Sequence, residues 1–161
     1  MDLVSLHTMS VRAMENWGCI TFLARVFLTD PLHTSQMLIQ RNSRSVAHEL
    51  SHMWFGNNVT MDWWDDIWLN EGFARFSEHH ILHTLRPEFR SWDKYLYQVY
   101  GQAMKYDWVY QKTHPVQVEV PDPNQLMDIF DTISYAKGSV VCRLLHTYLG
   151  DASFTACLRE Y

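Results

Sequence analysis

Val46-Ala47-His48-Glu49-Leu50-Ser51-His52-Met53-Trp54-Phe55-Gly56-Asn57 decides how this chain is read. His48 and His52 stand four apart, which on a helix separates them by about 40° around the axis, so both imidazoles leave one face. Leu50, Met53, Trp54 and Phe55 make the segment an apolar core helix. Histidine and glutamate buried on such a helix are costly unless paired or bound to a metal. Eighteen residues separate His52 from Glu71 in Trp68-Leu69-Asn70-Glu71-Gly72-Phe73-Ala74. That is enough for the chain to leave the first helix, turn and return antiparallel. Two imidazoles and a carboxylate form the three-ligand set of a catalytic zinc, one ion per chain, with a fourth position for water. Glu49 lies beside the first ligand and is not needed as one. It is free to take a proton from that water and deliver it to a departing amine. Chance places such a histidine pair and a correctly spaced glutamate in roughly one chain in a thousand of this composition. Glu78, seven residues beyond Glu71, falls within about 20° of it around a helix. It either orients a ligand histidine, as metal-bound imidazoles require, or stands as a surface carboxylate.

The rest of the composition narrows the class. The 161 residues are 47% apolar and 14% aromatic, which is one globular domain with a real core and not a disordered chain. A net charge of −5, with no basic cluster or stacking platform, argues against nucleic acid. No apolar run approaches the length needed to cross a bilayer. The Met1-Asp2-Leu3-Val4 terminus lacks the basic and apolar regions of a signal peptide. Cys19, Cys142 and Cys157 have no metal or disulfide spacing and read as reduced, buried or half-buried thiols.

Along the chain, residues 2–7 and 19–28 read as strands, joined by a loop over 10–18, with a turn at Asp30-Pro31. A helix is expected over 36–55, stopping at Gly56-Asn57-Asn58. After an excursion over 59–67, further helices are expected over 69–85 and 88–110. Thr113 to Asn124 is too rich in proline for a central strand and reads as an extended connection. Asp131 to Leu149 reads as helical, closing at Gly150. Asp151 reads as the N-cap of a last helix whose apolar face, Phe154, Cys157 and Leu158, needs a partner. The expected fold is α+β and mainly helical: an N-terminal strand pair over 1–30, metal-site helices over 36–85 and a helical remainder over 88–161. The unfinished last helix suggests a chain cut from something longer.

Four blocks then carry a resemblance. They are Ala13-Met14-Glu15-Asn16-Trp17-Gly18; Val46 to Asn57; Thr60-Met61-Asp62-Trp63-Trp64 leading to Trp68–Ala74; and Ile133-Ser134-Tyr135-Ala136-Lys137-Gly138. In order and spacing they resemble the zinc aminopeptidases of the gluzincin class, especially the puromycin-sensitive and alanyl aminopeptidase group. The resemblance covers nearly the whole chain and implies the central part of a thermolysin-like catalytic domain. It also implies roles. His48, His52 and Glu71 would hold zinc, and Glu49 would be general base and then acid. Tyr135, one of eight tyrosines, would donate to the oxyanion. Glu15 would bind the substrate's free α-ammonium, with Ala13, Met14 and Asn16 lining the cleft beside it. Physics agrees about Glu15: Glu49 and Glu71 already offset a divalent cation, and a third carboxylate leaves one negative charge for one ammonium. The implied partners are peptides with a free N-terminal amine, and N- and C-terminal domains of a longer parent that pack against this piece. The absence of a disulfide pattern favours a cytoplasmic parent, with a membrane-anchored one left open.

One departure stands out. The family carries glycine where this chain has Arg12, so the position either crowds the cleft or adds a positive charge beside the peptide. Two other functional readings remain. A zinc endopeptidase would be indifferent to blocking of the substrate amine. A non-catalytic fragment would bind peptide or zinc without turnover. A related branch that opens an epoxide carries Gly-Gly-Met-Glu-Asn, which this chain lacks.

Overall fold

Short runs of β-branched and apolar residues at the N-terminus make a small sheet, and periodic apolar faces make the helices that follow. The computed structural model describes residues 1–109, 111 and 113–161. Strands β1 (Asp2–Leu6), β2 (Ala13–Met14) and β3 (Cys19–Leu23) form one sheet in the order β1-β3-β2. β1 runs parallel to β3, in register from Asp2 opposite Cys19 to Leu6 opposite Leu23. β2 is antiparallel, with Ala13 opposite Phe22 and Met14 opposite Thr21. The expected pair is therefore three strands, because part of the expected loop 10–18 contributes an edge strand of its own. β3 ends at Leu23, not 28, where Ala24–Val26 coil into a 3-10 turn. Phe27 thereby folds back to stack on Phe22 at 4.7 Å. A continued strand would hold those residues about 17 Å apart.

Helix α1 (Gln36–His52) begins where Ser35 caps it, its hydroxyl accepting from the Leu38 N–H at 3.3 Å. It stops at His52, three residues before the expected end. The chain then reverses through Gly56, whose φ of 117° suits glycine, and a Cβ there would collide with the Asn70 side chain. Helix α2 (Ile67–Leu85) follows a 3-10 turn at Trp64–Asp66 and starts two residues earlier than expected.

The helix expected over 88–110 is broken, and residue 110 lies outside the described residues. A 3-10 turn at Pro87–Phe89 leads to Arg90 at φ 50°, then to α3 (Ser91–Tyr95), a π-helical turn over Leu96–Tyr100 and α4 (Gly101–Trp108). Tyr95, Val99 and Ala103 are buried at intervals of four. Such a stripe drifts around an α-helix of 3.6 residues per turn, and one wider turn brings it back. The extended connection then closes in a 3-10 run, Pro123–Ile129, that the sequence reading did not anticipate. Its signal was present: the Asp122 carboxylate accepts from the Asn124 N–H at 2.9 Å, with proline at the first turn.

A π-helical turn over Ile133–Lys137 opens into α5 (Gly138–Leu149), and α6 (Asp151–Glu160) ends the chain. Asp151 is the first helical residue and not the N-cap, which is Gly150 at φ 76°. Its carboxylate is instead engaged by His146 at 3.0 Å. The apolar face of α6 finds its partner within the chain: Phe154 joins Phe73, Phe76 and Cys142 in one buried cluster, with Leu158 against it. Cys142 is buried as expected, but Cys157 and Cys19 are exposed. Cys157 falls about 60° from Phe154 around the helix, on the side away from Leu158. Among the described residues no helix is long and apolar enough to cross a membrane.

At Gly72 and Gly138, α2 and α5 meet backbone on backbone. A Cβ added to Gly72 would lie 2.8 Å from the Gly138 carbonyl carbon. Gly72→Ala gains about 1 kcal/mol of helix propensity. It loses more, because the obstacle is main chain and overpacking costs about 1–3 kcal/mol or above. We expect a net destabilisation of about 1–2 kcal/mol, read as a lower melting temperature; an unchanged or raised one would contradict this contact.

Candidate metal centre

Four elements converge on one buried cluster. The face of α1 carries His48, Glu49 and His52, and α2 carries Glu71 and Glu78. The segment after β2 brings Glu15, and the π-helical turn before α5 brings Tyr135. His48 Nε2 lies 3.1 Å from Glu71 Oε2 and 3.2 Å from His52 Nε2, and His52 Nε2 lies 3.5 Å from Glu71 Oε2. A tetrahedral ion bound at about 2.0–2.1 Å needs its donors about 3.3 Å apart. The three atoms therefore form a ready-made ligand face.

The opposite ring nitrogens set the tautomers. His52 Nδ1 is 3.0 Å from the Phe55 carbonyl oxygen, to which only an N–H can donate. His48 Nδ1 is 3.1 Å from Glu78 Oε2, an ion-pair distance at an angle short of a hydrogen bond. Both contacts favour the proton on Nδ1 and leave each Nε2 lone pair for a cation. Glu78 is itself held by Arg75, whose Nη1 donates to Oε1 at 2.8 Å. Arg75 belongs to none of the four sequence blocks that mark the site and only adjoins the third. The i, i+3 spacing of Arg75 and Glu78 on one helix was the available signal.

The cluster is strongly polarised. Burial works against charge on His48, but the Glu71 and Glu78 carboxylates overcome it and raise that imidazole to about 10. Burial likewise resists charge on Glu71 and Glu78, yet the partners, His48 and His52 for one and Arg75 and His48 for the other, bring each down to about 2. These carboxylates stay ionised and the imidazoles attract positive charge, which is the preference of a cation site. Glu49 differs. Burial raises its carboxyl to about 7 against the pull of His48 and His52. Among the described residues it has no hydrogen-bond or ion-pair partner. One of its oxygens nevertheless lies within 4.8 Å of donor atoms on both Glu15 and His52.

Glu15 reaches the same space from the sheet. Its Oε1 is 4.0 Å from His52 Nδ1 and accepts from Asn70 Nδ2 at 3.4 Å, a partner the sequence reading missed. Asn57 ties this segment to the end of α1 by donating to the Glu15 carbonyl oxygen at 2.8 Å. Ala13 and Met14 form the edge strand, and Asn16 donates to Thr21 Oγ1 at 3.1 Å, which fixes the turn after it. The Tyr135 ring stacks on His48 with centroids 6.2 Å apart. Burial, then the Glu71 charge, push its phenol well above the ordinary range, so it remains a donor. Arg12 is exposed, at negative φ, and its charge faces Arg41, Arg75 and Arg25. The backbone there makes no demand for glycine.

A second cluster, His80, His146 and Asp151, also brings three donors together, but its hydrogen bonds oppose a metal. Arg143 Nη1 donates to His146 Nδ1 at 2.8 Å, so the proton sits on Nε2, which donates to Asp151 at 3.0 Å. That nitrogen has no lone pair to give.

Comparison with known proteins gives the family of the chain. The model of the family described as Peptidase family M1 domain matches residues 1–161. The puromycin-sensitive aminopeptidase of Caenorhabditis elegans is 43% identical over 160 residues, 99% of this chain and 17% of that protein. The leucyl aminopeptidase of Saccharolobus solfataricus is 41% identical over 161 residues, 100% of this chain and 20% of that protein. The alanine/arginine aminopeptidase of Saccharomyces cerevisiae is 39% identical over 161 residues, 100% of this chain and 19% of that protein. The chain thus spans about a fifth of the length of these relatives. With a family match along every residue and relatives about 40% identical over its whole length, the chain belongs to peptidase family M1.

Proposed function

We propose that the chain is the central part of a thermolysin-like catalytic domain whose parent removes single residues from peptide N-termini with one zinc ion. The observation that carries this reading is the spacing of three donors at 3.1, 3.2 and 3.5 Å with a free carboxylate, Glu49, beside them. His48, His52 and Glu71 would hold the zinc. When bound, it supplies a Lewis acid that polarises the scissile carbonyl and makes water more acidic.

The chain's own residues divide the remaining work. Glu49 takes the proton from water and returns it to the leaving amine, a task suited to a carboxyl poised near neutrality. Tyr135 donates its phenolic hydrogen to the developing oxyanion. Glu78 and the Phe55 carbonyl hold the two imidazoles in orientation. Glu15 accepts the substrate's α-ammonium, and the free edge of β2 offers main-chain groups to an extended peptide. The remainder of the parent would pack around this piece and wall the cleft.

Zinc analysis and a panel of aminoacyl amides test this reading on the zinc-loaded chain and on its full-length parent. We expect one zinc per chain and cleavage of free aminoacyl amides but not of N-acetylated ones. Equal cleavage of both by the parent points to an endopeptidase, and zinc binding without turnover in the parent points to a non-catalytic protein; either defeats the proposal. Within that assay, Glu15→Ala should weaken kcat/KM for free-amine substrates by about tenfold or more, the loss of one charge-assisted contact. The affinity for N-acetylated peptides, read as their inhibition constant, should not fall. A parallel loss on both would contradict the ammonium role.

A further inference from the structure

A cavity of about 470 Å³ opens between α1, α2 and the α3 segment, and no donor of the metal centre lines it. Its apolar wall is formed by Leu38, Leu82 and Phe89, of which the last two are buried. Three cations also line it: Arg41, Arg44 and Lys94. None of them has a carboxylate within ion-pair distance among the described residues. Arg44 Nη1 donates to Gln98 Oε1 at 2.6 Å, and Lys94 Nζ donates to the Gln40 amide oxygen. Amide oxygens satisfy N–H groups but cancel no charge. Some other cations of the chain are treated differently: Arg75, Arg86, Arg90 and Lys137 each hold a carboxylate. Acids are not scarce either, since the chain carries a net charge of −5. Arg12, Arg25, Lys105, Arg143 and Arg159 also lack a carboxylate partner among the described residues, so what sets this cavity apart is three such cations converging on one apolar wall, with Arg44 among them partly withdrawn from water.

Burial makes that arrangement costly for Arg44, whose guanidinium is held below its ordinary value. Glu78 offsets part of this from a distance, while Arg75 and Arg12 add repulsion. An anion seated in the cavity would relieve the cost, and guanidinium forks fit a carboxylate in a bidentate way. The volume falls in the range of sites for small organic ligands, and an apolar wall with a few convergent polar groups is their usual lining. Inorganic anions would leave the Leu38, Leu82 and Phe89 surface wet.

We propose that this cavity binds a small molecule bearing a carboxylate on an apolar chain. The carboxylate sits among Arg41, Arg44 and Lys94, and the chain lies against Leu38, Leu82 and Phe89. A medium-length fatty acid and the C-terminus of a short apolar peptide share this chemistry. Isothermal titration of the folded 161-residue chain with octanoate and with N-acetyl-Leu-Leu separates them, the tighter one naming the source. Binding of at least one should saturate at a single site, with octanol and acetate each weaker by about tenfold or more, the worth of the missing charge or the missing tail. Arg41→Gln/Arg44→Gln should weaken the tighter ligand by about tenfold or more, and Arg159→Gln, an exposed cation outside the cavity lining, should not. Arg41→Gln alone, at an exposed position, keeps the test valid if the double variant does not fold, and it should weaken binding measurably. Failure of both carboxylates to saturate, octanol or acetate binding as tightly, or indifference to Arg41→Gln would each overturn the proposal.

Discussion

Glu49→Gln should lower kcat by about 10³–10⁴, at the upper end of what a positioned acid–base group contributes. That corresponds to about 4–5 kcal/mol of lost transition-state stabilisation. The amide is isosteric with the carboxylate, so packing in α1 and the three donor atoms should be undisturbed. Glu49 makes no hydrogen bond or ion pair whose loss would loosen the helix. What disappears is the ability to accept a proton. Zinc content by elemental analysis should therefore match the parent chain while turnover of an aminoacyl amide collapses. A variant with full zinc and kcat within tenfold of the parent would remove Glu49 from the mechanism.

Tyr135→Phe should lower kcat by about a hundredfold or more, the usual effect of deleting one oxyanion donor. The ring that stacks on His48 is retained, and only the hydroxyl is lost. KM should change little, because the bond is made to charge that develops in the transition state. Burial and Glu71 keep the phenol protonated, so the defect should be the same across neutral pH. An unchanged kcat would assign the donor elsewhere, and a rise in KM alone would recast Tyr135 as a binding residue.

Much of this site was legible because its chemistry is local. The His48–His52 pair needs only helical periodicity, and Glu71 needs only a return of the chain. The structure brings both together with Glu15, Glu78 and Tyr135 in one cluster. Contacts made by groups without a distinctive pattern were not legible. The Phe55 carbonyl is ordinary backbone until α1 ends early and turns it toward His52. Asn70 reads as a helix residue until Gly56 lets the loop approach it.

The fold followed the same division. Long periodic helices such as α1 and α2 were visible within two or three residues of their ends. Tertiary packing decided the rest: β2 exists only because β3 offers it an edge, and the π-helical turn at Leu96–Tyr100 answers to a buried stripe. Asp151 looked like a cap by residue type, but Gly150 supplied the backbone conformation and His146 claimed the carboxylate.

The contact between Gly72 and Gly138 follows Glu71 by one residue and Tyr135 by three. No side chain intervenes at this crossing, so nothing there can re-rotamer to absorb strain. Glu71 and Tyr135, the proposed third ligand and the proposed oxyanion donor, are consequently joined as if riveted. Repacking of distant aliphatic groups can soften the domain without altering their separation, whereas a single methyl at the rivet shifts both ends of the chemistry at once.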